Sequence, residues 1–364
     1  MDRPPYRRVP WLRTLAILWI GVLAGFALGV QWWRARPAPP PPPSGGIDLV
    51  GAGATFPYPL YRRWFEEYGA ASGVRINYFS VGSGDGIALL LSGGADFGAA
   101  DRPLDDAERR LARCGPLEIP TVAGAVAIVT NLPGVSDTLR VDAAVLADLF
   151  GGRITRWDDP RLTALNPATP LPGIPVRVVR RGDASGTGHL VDAYLADVPA
   201  WRALAGDWPV GEVMSGNEGV AAQVRASPGA IGFVELSYAR QARLAVAAVR
   251  NVAGRFVAPD SLSVATTAAE LLGAPAQDAR SILVGARNPS AYPIVGVTRI
   301  IADQVLGDAR RAAHLLAFAR WSVEEGARSA TALGYVPLPA GVVRRVVTRL
   351  DGVTPGVCPG AGAD

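Results

Sequence analysis

The chain contains no lysine; all 36 of its basic side chains are arginine. That removes a Walker-type phosphate loop, a Schiff-base enzyme and a pyridoxal-phosphate site together, since each depends on a lysine amine. Histidine is nearly absent, with only His189 and His314, and the two cysteines, Cys114 and Cys358, have no close cysteine or histidine companions. A zinc site therefore has no ligand set, and no metal or cofactor is expected. Basic excess is also missing from most of the chain. Residues 1–46 carry Arg3, Arg7, Arg8, Arg13, Arg34 and Arg36 against Asp2, so this segment holds +5 of a formal +4 and leaves −1 for the remainder. A nearly neutral body without a basic stripe argues against DNA or RNA, despite a pI near 9.3.

What is present begins with an uncharged run of 20 residues, 14–33. At 1.5 Å per residue it can cross a hydrocarbon layer of about 30 Å. Four arginines precede it and two follow, which places residues 1–13 in the cytoplasm and the rest outside, with Trp11, Trp32 and Trp33 at the interfaces. Its length and these tryptophans favour an uncleaved anchor; the competing reading is a signal peptide cut near Gly25-Phe26-Ala27. No cysteine lies nearby to accept a lipid. Residues 34–46 form a linker whose segment 37–43 is proline at six of seven positions, a stiff extended spacer. An oxidising compartment suits a disulfide between Cys114 and Cys358. The alternative is one buried free thiol and one in a frayed tail.

After the linker, three Gly/Ser/Thr-rich turns each follow an apolar strand-like run and lead into a helix-like run. They are Gly51-Ala52-Gly53-Ala54-Thr55-Phe56, Gly82-Ser83-Gly84-Asp85-Gly86 and Gly182-Asp183-Ala184-Ser185-Gly186-Thr187-Gly188. Strands are expected near 47–50, 74–79 and 176–180, and helices through 57–68, 87–91 and 189–195. This alternation implies an α/β fold with mostly parallel sheets flanked by helices, and the gap of about a hundred residues before the third turn suits a second lobe. Helix starts present unpartnered N–H groups and partial positive charge. Turns rich in hydroxyls at such starts point to a small anion as ligand.

Four motifs, in this order, resemble the periplasmic phosphate-binding proteins of bacterial high-affinity phosphate ABC importers. They are Gly51-Ala52-Gly53-Ala54-Thr55-Phe56-Pro57, Asp96-Phe97-Gly98-Ala99-Ala100-Asp101, Arg181-Gly182-Asp183-Ala184-Ser185-Gly186-Thr187 and Gly229-Ala230-Ile231-Gly232-Phe233-Val234-Glu235. Gly152-Arg153-Ile154-Thr155-Arg156-Trp157-Asp158-Asp159, Gly216-Asn217-Glu218-Gly219-Val220 and Gly334-Tyr335-Val336-Pro337-Leu338-Pro339 extend the likeness over roughly 49–345. The resemblance implies a two-lobed, type II-like periplasmic binding protein with a hinge of two crossing segments. Lobe 1 would take 47–127 and 290–350, lobe 2 would take 128–289, and 351–364 would be a tail. It implies a monomeric, extracytoplasmic binding protein, not an enzyme, that captures inorganic phosphate and delivers it to a membrane ABC permease. Carried over by motif, Thr55, Ser83, Ser185 and Thr187 would give hydroxyls, Phe56 and Gly186 backbone N–H groups, Asp101 a carboxylate acceptor and Arg181 a guanidinium, with Asp183 supporting Arg181.

These residue types suit a buried dianion, which needs a donor at every oxygen more than it needs full countercharge. Arg181 adds a planar fork that holds two oxygens. Asp101 would repel an anion unless the anion donates a proton, as monohydrogen phosphate does and sulfate does not. Taken without the resemblance, Asp101 reads as a turn residue before Arg102-Pro103, and Asp183 as an Asx turn or N-cap. Asp85 departs from the small neutral residue usual in the family, and Ala184 from glycine; Asp85 is expected to point outward. The rival from another class is a serine hydrolase using Asp183, Ser185 and His189, which lacks Gly-x-Ser-x-Gly and would need His189 to reach back along its own helix. Another oxyanion, or a sensing or scavenging role, is the rival within the fold.

Overall fold

The computed structural model describes residues 48–112, 115–204, 206–272, 282–303 and 308–354. The anchor or signal segment, the linker, both cysteines with their proposed disulfide and most of the tail lie outside those residues. Among the described residues no helix is long and apolar enough to cross a membrane.

In chain order the principal elements are β1 (Asp48–Gly53), α1 (Tyr58–Ser72), β2 (Arg75–Ser80), α2 (Ser83–Leu91), β3 (Phe97–Ala100), β4 (Pro116–Asn131), β5 (Arg177–Arg181), α3 (Gly186–Leu195), β6 (Glu212–Met214), α4 (Gly216–Ala226), β7 (Ala230–Glu235), α5 (Leu236–Gln241), β8 (Val295–Asp303) and α6 (Ala309–Glu324). The sheet runs β2-β1-β3-β8-β4-β7-β5-β6. The strand–turn–helix units give the expected parallel pairs, β1 with β2 and β3, and β5 with β6 and β7. Between them β8 pairs antiparallel with both β3 and β4, and β4 antiparallel with β7, so the whole sheet is mixed. Composition hides this, because a strand reached by a long return carries no sequence mark of its direction.

β4 joins the two parallel blocks. Its residues 116–125 pair with β8 and its residues 126–131 with β7. Such a strand is covered on both faces, and residues 117–130 are all buried, which is why the run Val126-Ala127-Ile128-Val129 shows no polar alternation.

Local chemistry moves three expected boundaries. Gly51 and Gly53 belong to β1 rather than to a turn. A Cβ at Gly51 would strike the Phe97 ring, and one at Gly53 would lie 2.7 Å from Ala99 N, so their bare backbone lets β3 pack close. α1 opens with Pro57 and Pro59, where a missing N–H costs nothing. It buries Leu60, Tyr61, Trp64 and Tyr68 on one stripe and stops at Gly73, whose φ of 74° suits glycine. Each such buried side chain is worth about 1.5–3 kcal/mol. α2 and α3 start at Ser83 and Gly186, earlier than periodicity suggests, because Ser83-Gly84-Asp85-Gly86 and Gly186-Thr187-Gly188 are first helical turns without apolar residues to reveal them.

Candidate functional site

The starts of α1, α2, α3 and α4 meet. Thr55, just before α1, accepts at Oγ1 from Asn217 Nδ2 (2.7 Å) and from the Asn217 backbone N–H (3.3 Å), and Asn217 is the second residue of α4. Asn217 Nδ2 also donates to Thr187 Oγ1 in the first turn of α3 (3.3 Å). Ser83, at the start of α2, donates weakly to Asp101 Oδ2 (3.4 Å) and accepts from the Asp101 N–H (3.2 Å). Gly186 closes the ring. A Cβ placed on it would collide with Ser83 Oγ and lie 2.8 Å from Asp101 Cβ and Oδ2. Gly84 N–H donates to Ala184 O (2.9 Å), so the turn after β5 lies directly on the start of α2.

Thr55, Phe56, Ser83, Asp101, Arg181, Gly186 and Thr187 are buried, and Ser185 is half-buried. The sequence-derived residues are thus brought together with four helix N-termini, a surrounding that favours an oxyanion. Ser185 also caps α3, its Oγ accepting from Gly188 N–H (3.1 Å), which leaves its hydroxyl hydrogen free to donate. Asp85 lies exposed in the first turn of α2, where its charge suits the helix dipole, and Gly82 rather than Asp85 is the N-cap.

Arg181 ends β5. Its Nε donates to Asp183 Oδ1 (2.6 Å), its Nη2 pairs with Asp183 Oδ2, and its Nη1 reaches Thr187 Oγ1 (3.5 Å). Asp183 therefore clamps one side of a guanidinium whose own side chain is only 3% exposed, rather than serving as an ordinary turn cap. The exposed His189 meets Ser185 through the backbone, its N–H donating to Ser185 O (3.1 Å) as in any helical turn, and the two side chains are not paired among the described residues.

Asp101 follows β3 and is fully enclosed. Burial pushes its carboxyl up to about 7, against the pull of a hydrogen bond from Thr298 Oγ1 (2.7 Å), the Arg181 charge and Ser83. Glu235, at the end of β7, is also pushed to about 7 by burial, although it accepts from Ser237 N–H (2.7 Å) and the Ser237 hydroxyl and has Tyr335 Oη at 3.0 Å. Both acids bind their protons more tightly folded than unfolded. The stability they confer is complete below the ordinary carboxylate range and is lost as pH rises through about 7. The melting temperature of the phosphate-free chain should therefore fall between pH 5 and pH 8, and Asp101→Asn should remove part of that fall. A decline equally steep in the variant would show that Asp101 does not titrate there.

Four surrounding residues carried no assigned role in the sequence. Asn217 sits in a quoted motif, but nothing in Gly216-Asn217-Glu218 says what its amide touches. Thr298 comes from β8, almost two hundred residues after Asp101, and had no signal. Tyr238 Oη donates to Thr55 O (2.7 Å), and Tyr335 Oη to Phe56 O (2.8 Å), which pins the turn before α1 from two sides.

A family model described as the PBP superfamily domain matches residues 38–325. "Phosphate-binding protein PstS" of Xylella fastidiosa (strain 9a5c) is 38% identical over 315 residues, covering 85% of this chain and 86% of its own. The protein of the same name from Haemophilus influenzae is 35% identical over 306 residues, covering 82% and 91%. Among solved structures, a putative phosphate ABC transporter substrate-binding protein with bound phosphate from Clostridium perfringens superposes with a TM-score of 0.60 at 16% identity, covering 81% of this chain and 100% of that one. At that identity the superposition speaks for the fold, a mixed α/β periplasmic binding protein.

Proposed function

This chain belongs to the PstS family of phosphate-binding proteins, and we propose on that premise that Thr55, Phe56, Ser83, Asp101, Arg181, Ser185, Gly186 and Thr187 form its phosphate cradle, with Asp183 supporting Arg181. The chain is an extracytoplasmic solute-binding protein that binds phosphate for an ABC transporter; it is a binding component, not an enzyme. The observation that carries the cradle is the approach of Gly186 to Ser83 and Asp101. It brings the start of α3 against Asp101, the carboxylate of the proposed cradle that is not already paired with Arg181.

Each cradle residue then has a definite task. The hydroxyls of Thr55, Ser83, Ser185 and Thr187 and the N–H groups of Phe56 and Gly186 donate to phosphate oxygens, Ser83 by turning its weakly held hydrogen from Asp101 to the anion, and Arg181 supplies the one full positive charge. Asp101 accepts the proton of monohydrogen phosphate. Residues 47–127 and 290–350 form one lobe and 128–289 the other, a division supported by β4 changing partner from β8 to β7 between Ala125 and Val126. The lobes close on the anion as a monomer, and residues 14–46 tether the domain to the membrane and hold it off the surface.

Calorimetric titration of the full chain with phosphate and with sulfate tests this reading. At pH 8, where Asp101 is ionised, phosphate should bind at least a hundredfold more tightly, because sulfate has no proton to offer a buried carboxylate. The gap should narrow at pH 5, where the protonated carboxyl can itself donate to sulfate. Equal affinities at pH 8 would remove Asp101 from the cradle, and no phosphate binding at all would remove the cradle.

A further inference from the structure

Asn217 is completely buried and touches both halves of the cradle. Its Oδ1 accepts from Glu235 N–H (2.9 Å), which fixes the orientation of the amide, because the opposite end must then carry the donors. That end, Nδ2, donates to Thr55 Oγ1 and to Thr187 Oγ1. A threonine hydroxyl has two acceptor lone pairs and one hydrogen. At Thr55 both lone pairs are filled, by Asn217 Nδ2 and the Asn217 backbone N–H. At Thr187 both are filled as well, by Asn217 Nδ2 and Arg181 Nη1. Each hydroxyl can then only donate, and its hydrogen is left for an acceptor in the cradle.

We infer that Asn217 is a positioning residue that turns Thr55 and Thr187 into obligate donors, and so sets the affinity of the cradle for an oxyanion without touching the anion. Without it, each hydroxyl could rotate to offer a lone pair, which a fully acceptor ligand cannot use. The inference rests on the phosphate reading, and it explains why one amide side chain, rather than an apolar one, is enclosed between the starts of α1, α3 and α4.

The test is a double-mutant cycle read by calorimetry with inorganic phosphate, using the full chain as wild type, Asn217→Ala, Thr187→Val and the pair together. Asn217→Ala should weaken binding about tenfold or more, the loss of about one charge-assisted hydrogen bond. In the Thr187→Val background, where one of the two oriented hydroxyls is already gone, the same substitution should cost clearly less. A purely structural role would give losses that multiply, and that outcome, or an Asn217→Ala affinity within twofold of wild type, overturns the inference. Should the alanine variant fail to fold, Asn217→Asp keeps the shape and the acceptor for Glu235 N–H but accepts from both hydroxyls. It should bind phosphate more weakly than wild type by at least tenfold, and unchanged affinity overturns the inference equally. Failure of wild type to bind phosphate would count against the phosphate reading instead.

Discussion

Arg181→Ala is expected to weaken phosphate binding by about a hundred- to several-thousandfold, the largest loss of any single substitution in the cradle. Two effects add. The variant loses the only guanidinium in the cradle, and it strands Asp183, whose carboxylate is 9% exposed and held by Arg181 Nε and Nη2. Removing one partner of a buried ion pair typically costs about 3–5 kcal/mol, because the other charge is left without compensation. Here that charge is negative and faces an anion. Asp183 would keep only a weak bond from Gly216 N–H (3.4 Å). Replacing both residues by alanine should therefore restore part of the affinity that Arg181→Ala removes, a reversal that loss of a countercharge alone does not produce. Arg181→Lys should fall between, since an ammonium cannot hold Asp183 through two nitrogens and still reach Thr187. Calorimetry on the four proteins decides it. An Arg181→Ala affinity within tenfold of wild type would mean that the guanidinium is structural.

The turns proposed as a cradle could be read from sequence because anion binding by backbone and hydroxyl groups leaves a compositional mark, whereas the single residues, Asp101 above all, were assigned through the family resemblance. Glycines and hydroxyl residues cluster at the junction of strand and helix, and Gly82-Ser83-Gly84 and Ser185-Gly186-Thr187 have few other reasons to occur there. Arg181 and Asp183 were legible as a pair because two residues apart across a turn is a spacing that lets a fork meet a carboxylate. The supporting residues left no such mark. Thr298 lies on β8, whose run Val295-Gly296-Val297-Thr298 reads as an ordinary buried strand, and only the antiparallel pairing of β8 with β3 brings it beside Asp101. Asn217, Tyr238 and Tyr335 act through contacts spanning 18 to 279 residues, which local periodicity does not encode. The same limit explains the sheet. Parallel units announce themselves through a helix between two strands, whereas β8, which runs against both β3 and β4, differs from them only in where the chain returns.

Gly186→Ala carries the second prediction, and its interest lies in the conflict between local and distant structure. Gly186 begins α3 with an ordinary helical backbone, not among the glycines with positive φ, so alanine there should favour the helix by about 0.5–1 kcal/mol. Nothing in the helix itself asks for glycine. The demand comes from across the site, where the added methyl would collide with Ser83 Oγ and crowd Asp101. Ser83 cannot retreat without giving up its bonds to Asp101. The methyl must be accommodated by moving the turn after β5 away from the start of α2, at a cost of about 1–3 kcal/mol for overpacking. The expected result is a ten- to hundredfold loss of phosphate affinity together with a lower melting temperature, because the overpacking cost exceeds what α3 gains. Titration and thermal melts on the same preparation check both halves. Full affinity in Gly186→Ala would show that anion binding does not require the two turns to approach as closely as they do here, and the cradle would then have to be assembled from one side alone.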